Sequence, residues 1–380
     1  MPGDRKRHGG ENVILSTTGR RLLALAAVAS LAVGACAGGA SPSPSAAPTS
    51  PPSSDAPASD EPTAEPGALP TDALETTDIT IGLSVQEPIQ YAGVLAAQAG
   101  IYEKYGLNVE YAFFEGDARV AAALQAGQIQ IGLSGGSSAI SSQLTDAPYD
   151  AVGVMGAFLT DDLVCQAGID TADDVRGQTV AISTFGGTSH AAALLALQTL
   201  GLGSADATIT QIGGQGARIA AVQGGSVACA VVDTNLRDQM IEQGLSIATS
   251  VFESKAAFAR SAMSALETFI DANPNTMLVA VASVVEAQNM LFEDPAGQAE
   301  LYAEWSTHDL ETATELLEGL SEYANHNLIW TREAFLNAQK AIATVNPDII
   351  EVEPEDAYRT DFVDTLAANG FYELIGVPLP

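Results

Sequence analysis

The chain has little of several residue types. Its 380 residues include 3 cysteines, 2 tryptophans and 4 histidines. Lysine and arginine number 15 against 47 aspartates and glutamates, for a formal charge of −32. Residues 1–35 carry five basic and two acidic side chains, which leaves −35 on the rest. Such an acidic excess excludes nucleic-acid binding, which needs a basic footprint for phosphates. It also excludes charge-driven binding to an anionic lipid surface, and it suits solubility outside the cell. No H-E-x-x-H, G-x-x-x-x-G-K-[ST] or paired C-x-x-C occurs. The missing P-loop excludes an ATPase of that class. No catalytic residue, cofactor or metal is expected.

Long apolar runs are scarce too. The one at 22–33 is shorter than the ≈ 20 residues a membrane helix needs. Arg5, Lys6, Arg7, Arg20 and Arg21 precede it, as in a signal peptide. Val33-Gly34-Ala35-Cys36 resembles a lipobox, which implies cleavage before Cys36 and a lipid on that residue. An ordinary signal peptide with an incidental cysteine is the alternative. Arg20-Arg21 fits a twin-arginine signal only in part, so the export route stays open. Residues 36–78 are mostly Ser, Pro, Ala, Thr and Glu, and cannot bury enough surface to fold. They read as a disordered tether that reaches on the order of 100 Å when extended.

What is present is concentrated in 79–138. Ile79, Ile81 and Leu83 alternate with small polar residues, the period of a strand. An apolar helix with Leu95, Ala96, Ala99 and Tyr102 follows and closes at Gly106. Leu107, Val109, Tyr111 and Phe113 alternate again, Gly116-Asp117 starts a second helix, and Ile129, Ile131 and Leu133 form a third strand. That order predicts a parallel sheet with right-handed crossovers and a ligand beyond the carboxyl ends of the strands. Residues 178–233 repeat the plan. After Phe258 the chain reads as mostly helical, and Trp305, Trp330, His308 and His326 read as structural.

Pro88-Ile89-Gln90-Tyr91-Ala92, Gln98-Ala99-Gly100-Ile101-Tyr102, Gly106-Leu107-Asn108-Val109-Glu110 and Ala126-Gly127-Gln128-Ile129 resemble substrate-binding proteins of the periplasmic type. More narrowly, they are similar to the THI5/NMT1-like group of nitrate, sulfonate, taurine and pyrimidine-precursor receptors. Asp174-Val175-Arg176-Gly177-Gln178-Thr179-Val180-Ala181 resembles the group's entry into its second lobe. Gln130 departs from the group, which often has an acid there. The resemblance implies a two-lobed, type II α/β fold with parallel-rich sheets flanked by helices. Lobe 1 is expected at 79–172 and 255–380, and lobe 2 at 173–254. It implies a monomeric, lipid-anchored solute receptor that serves an ABC permease and its ATPase. Alternatives are a pyrimidine-synthesis enzyme on the same fold, which would need a lysine in the cleft, and a sensor subunit. Cys165 and Cys229 fall in strands expected in different lobes, so they read as two buried free thiols.

Two Gly/Ser/Thr loops are the main site candidates: Ser134, Gly135 and Ser137 from one lobe, and Thr184, Phe185, Gly186, Gly187, Thr188, Ser189 and His190 from the other. Each follows a strand and opens a helix, whose first N–H groups and dipole attract an anion or a polar ring edge. Tyr91, Phe158 and Phe185 are candidate aromatic walls. Asp233 could bind a donor group or cap the following helix, and Gln86, Gln90 and Asp161 are weaker candidates. No Lys or Arg stands in these loops, though Arg218 is within reach, which favours a neutral, zwitterionic or heterocyclic ligand.

Overall fold

The computed structural model describes residues 65–379. Its strands are β1 (Asp78–Leu83), β2 (Asn108–Phe113), β3 (Ile131–Ser134), β4 (Tyr149–Phe158), β5 (Asp161–Cys165), β6 (Thr179–Ile182), β7 (Thr208–Gln211), β8 (Cys229–Asp233), β9 (Ser246–Ser250) and β10 (Ala257–Leu266). They form two five-stranded sheets, in the orders β2-β1-β3-β10-β4 and β7-β6-β8-β5-β9. In the first sheet β1 runs parallel to β2 and β3, as the alternation in 79–133 predicts. In the second, β6 runs parallel to β7 and β8.

The two sheets share one plan. Each has a parallel trio followed by one antiparallel strand and then an outer strand. β10 is antiparallel to β3 and β4, and β5 is antiparallel to β8 and β9. These two strands mark where the chain crosses between lobes. β4 ends the first pass through lobe 1, and only Leu159 and Thr160 separate it from β5 in lobe 2. The return leads from β9 through 251–256 into β10. Hence lobe 2 opens at 161 and not at 173, and β10 is a strand where the sequence suggested helix.

The moved boundary overturns the free-thiol expectation. Cys165 and Cys229 stand directly opposite each other on β5 and β8, and they form a disulfide. Both strands lie in lobe 2, so the separation assumed for the thiols does not exist.

Order also begins before residue 79. Leu69 and Leu74 pack against the lobe 1 core. Glu75 accepts hydrogen bonds from the backbone N–H groups of Asn275 and Thr276, at 3.2 and 2.9 Å. Those donors lie in the first turn of the helix Pro274–Glu293, where a carboxylate also meets the positive end of the dipole. The expected tether is therefore shorter than 36–78. Its remainder, with the signal segment and Cys36, lies outside the described residues.

The helix Pro274–Glu293 backs lobe 1. Its Val279, Val281, Val284, Val285 and Leu291 are buried in the same core as β1 and the helix Pro88–Gln98. Each such side chain contributes about 1.5–3 kcal/mol. The helix Arg332–Ile342 packs against β10, against Gly136–Ser142 of lobe 1 and against Thr188–Thr199 of lobe 2. One apolar core, with Val120, Ile140, Val180, Leu197, Phe335 and Ile342, therefore continues from lobe to lobe. No helix among the described residues is long and apolar enough to cross a membrane.

Candidate functional site

The carboxyl ends of both parallel trios face a cleft of about 340 Å³. Lobe 1 lines it with Ser84, Gln86, Glu87, Gln90, Asp117 and Gly135. Lobe 2 contributes Asp161, Ser183, Thr188, Ser189, Gln215, Arg218 and Asn235, and Arg260 reaches in from β10.

On the lobe 1 side, β1 leaves the sheet at Ser84, and Pro88 starts the next helix with Glu87 at its N-cap. Gln90 braces this turn. Its Oε1 accepts from the N–H groups of Ser84 and Val85 at 3.1 and 3.3 Å. Its Nε2 donates to the hydroxyls of Ser84 and Ser261 at 3.0 and 3.2 Å. Asp117 opens the second helix and accepts from Gly135 N at 3.1 Å. Gln130, the departure from the family pattern, accepts from Thr80 N at 2.8 Å, a contact between strand and loop.

On the lobe 2 side, Ser189 Oγ accepts from Ser183 N at 2.8 Å and so fixes the loop between β6 and the helix Thr188–Thr199. Gly186 has φ 79°, which a side chain would strain, and its N–H donates to His190 Nδ1 at 3.1 Å. Burial lowers the pKa of His190, which keeps Nδ1 free as that acceptor. Across the cleft, a Cβ placed on Gly135 would stand 2.2 Å from Thr188 Oγ1. Glycine is what allows the two loops to approach so closely.

The floor of the cleft is ionic. Arg260 donates to Glu87 at 2.8 Å and to Asp233, tying lobe 1 to lobe 2. Thr160 Oγ1 also donates to Asp233, at 2.6 Å, and Gln215 accepts from Asp233 N at 2.9 Å. Gln215 Nε2 donates in turn to Glu87 at 3.4 Å. Burial would lower the pKa of Arg260, but Asp233, Glu87 and Asp161 outweigh it and hold the guanidinium charged. Burial raises Glu87, and Asp233 adds to this, with Arg260 opposing. Asp161 is pushed up to about 7, by burial above all and against the pull of Arg260. Burial lowers Arg218, while Asp161, Glu87 and Asp117 sustain its charge.

Of the residues singled out from sequence, Gln86, Gln90, Gly135, Asp161, Thr188, Ser189 and Arg218 line the cleft. Asp233 lies behind the wall as the partner of Arg260. Tyr91 is fully buried and stacks on Trp305 with centroids 5.3 Å apart, in an aromatic cluster with Tyr302. Ser134, Ser137 and His190 are buried, and Thr184, Phe185, Gly186, Gly187 and Phe158 are also absent from the lining. Phe185 is 47% exposed and meets the edge of His190. Ser134 stands in Gly132-Leu133-Ser134-Gly135-Gly136, which has the G-x-S-x-G spacing. Its side chain is 1% exposed, and no histidine hydrogen-bonds to it among the described residues. His308, read as structural, lines the cleft.

Sequence reasoning missed Glu87, Asp117, Gln215 and Arg260 as site residues. The first two were visible as acids at helix starts. The signal for Arg260 is a single charge inside the small, apolar run Ala257-Phe258-Ala259-Arg260-Ser261-Ala262-Met263. A charge that must be buried needs a partner.

A family model described as NMT1/THI5 like matches residues 89–297. No curated protein matches the chain by sequence. The fold is shared with an alkanesulfonate-binding protein of Xanthomonas axonopodis pv. citri, solved bound to MOPS. The two are 18% identical over 77% of this chain and 99% of that one, with a TM-score of 0.61. The periplasmic nitrate-binding protein of Synechocystis PCC 6803 is 16% identical over 80% and 92%, with a TM-score of 0.62. The periplasmic aliphatic sulphonate binding protein of Escherichia coli is 18% identical over 72% and 88%, at 0.58. These likenesses bear out the two-lobed, type II periplasmic-binding-protein fold.

Proposed function

Since the chain belongs to the NMT1/THI5-like family, we propose that it is an extracytoplasmic solute receptor that delivers a small organic solute to an ABC permease driven by its ATPase. The observation that carries this reading is the cleft itself. Its volume is of ligand size, and both lobes line it around buried polar groups. The lobes are joined by two crossings, the geometry of a hinge that closes on a ligand. Several neighbours with this fold, among them those bound to MOPS and named for nitrate, are binding proteins by name.

The receptor acts as a monomer, held to the outer face of the membrane through a lipid on Cys36. Cys36→Ala should move the protein from the membrane to the soluble fraction, and a variant that still sediments with membranes would refute the anchor. The receptor role is tested by unfolding the full-length protein in the presence of small solutes. A true ligand at a hundred times its Kd adds about 2.7 kcal/mol of stability. A broad solute panel without any stabilising member would defeat the reading.

The pyrimidine-synthesis alternative on this fold would need a lysine in the cleft. Lys104 instead pairs with Glu286 at 2.7 Å, Lys255 sits over the Phe252 ring, and Lys340 lies in the helix Arg332–Ile342.

A further inference from the structure

We propose that the solute carries a cationic nitrogen, an ammonium or amidinium, which binds at the acidic floor of the cleft beside Asp161. The proposal rests on the receptor reading and names the chemistry of its ligand.

Charge balance is the first observation. Glu87, Glu115, Asp117 and Asp161 all line the cleft, and Asp233 holds Arg260 outside the lining. Two guanidiniums, Arg218 and Arg260, line the cleft against these carboxylates, and a third, Arg119, faces Glu115 at 3.6 Å from outside the lining. The charge of Arg260 is already engaged by Glu87 and Asp233. Asp161 and Glu87 are raised, so an inorganic oxyanion or a simple alkanesulfonate adds to the cost of ionising them, whereas a cation on the solute favours their charged form and gains an ion pair. The N-terminus of Thr188–Thr199 offers only partial positive charge against them.

The second observation is independent of the count. Asp161 is 6% exposed, lines the cleft, and its Oδ2 has no hydrogen-bond partner. Asn235 Oδ1, also in the lining residues, is likewise buried without a donor. Buried acceptors without donors are costly, and both become satisfied by N–H groups on a solute. A charged N–H donor gains most, because hydrogen bonds between ions are roughly twice as strong as neutral ones. Arg218 Nε, Arg260 Nε and Thr188 Oγ1 are also buried and unpartnered on lining residues, so the solute has room for acceptors beside its cationic end.

The test is a thermal-shift screen of the full-length protein near neutral pH. Matched probes are benzamidine with benzamide and taurine with isethionate. Agmatine and choline extend the cations, and nitrate, sulfate and methanesulfonate supply the anions. Stabilisation is expected only from members with a cationic nitrogen. Asp161→Asn should weaken the strongest such hit roughly thirtyfold or more. If that variant does not fold, Asn235→Asp carries the test in the opposite direction, because the added carboxylate should tighten the same hit. Stabilisation by anions or neutral members alone overturns the proposal and leaves the receptor reading standing. So does a cationic hit whose affinity neither variant changes. A screen without any hit in any charge class overturns the receptor reading, and the proposal with it.

Discussion

Arg260 on β10 of lobe 1 donates to Asp233 at the carboxyl end of β8 in lobe 2. The same guanidinium holds Glu87 at 2.8 Å. Arg260 is thus both the floor of the cleft and a tie between the lobes. Its side chain is 9% exposed, so the ions are compensated almost entirely by one another. Removing one member of such a set leaves uncompensated buried charge and typically costs about 3–5 kcal/mol. Arg260→Met should therefore destabilise the protein strongly in urea unfolding. Arg260→Lys should cost less, since it keeps the charge but loses the fork that reaches two carboxylates. Equal midpoints for wild type and Arg260→Met would contradict this account.

That tie explains which parts of the molecule were legible in sequence. Each parallel trio was readable, because β1, β3 and β6 carry apolar residues at strand spacing and lie between glycine-marked helices. β5 and β10 were not readable as what they are. β5 follows β4 after two residues yet pairs in the second sheet, and β10, in lobe 1 as expected, inserts between β3 and β4, and no local pattern encodes either pairing. Two site features depend on these pairings. Cys165 meets Cys229 only because β5 joins the second sheet. Arg260 meets Glu87 only because β10 inserts beside β3. The loop residues Gly135, Thr188 and Ser189 were legible because glycine and hydroxyl residues after a strand have a local reason to be there.

Asp161 makes stability depend on pH in a definite direction. Its folded pKa, about 7, lies above the ordinary carboxylate value of 3.8. Below 3.8 both folded and unfolded chains hold the proton, and the group is neutral in its effect. As pH rises towards 7 the unfolded chain releases the proton while the folded one retains it, so stability falls. Glu87 and Asp150 are raised as well, chiefly by burial, and act in the same sense, so the wild-type curve mixes all three groups. Asp161→Asn isolates one of them. The variant should gain stability relative to wild type as pH rises from 4 to 7, and the gain should level off above 7. Melting curves across that range check it, and a difference independent of pH would show that Asp161 titrates normally.

The disulfide makes a second prediction about stability. Cys165 and Cys229 are 64 residues apart in sequence and both are fully buried. Closing a loop of that length in the unfolded chain stabilises the fold by about 4 kcal/mol in the chain-entropy view. Reductant should therefore lower the urea midpoint, and the double variant Cys165→Ala with Cys229→Ala should show the same loss without reductant. Because the bridge lies inside lobe 2, lobe closure should not depend on it. A midpoint insensitive to reductant would mean that the cysteines are not bridged in solution.

The approach of Gly135 to Thr188 gives a prediction that separates closure from folding. Gly135 has φ −59°, which alanine adopts without strain, so Gly135→Ala should not damage lobe 1 by itself. Its new Cβ would stand 2.2 Å from Thr188 Oγ1 and 2.8 Å from an oxygen of Asp117. The first contact crosses the cleft, and the lobes can relieve it only by parting. The variant should melt near the wild-type temperature yet scatter X-rays with a larger radius of gyration and bind solute more weakly. Thr188→Ala removes the oxygen that clashes, at a cost of roughly 0.5–1.5 kcal/mol if that hydroxyl bonds the solute. Combining it with Gly135→Ala should restore part of the compactness, because the remaining clash is with a side chain of the same lobe. If Gly135→Ala is as compact as wild type and binds equally well, the two loops do not meet in solution and the cleft is wider than this structure places it. If it unfolds early instead, Gly135 serves lobe 1 packing through Asp117, and the double variant should then fail to recover.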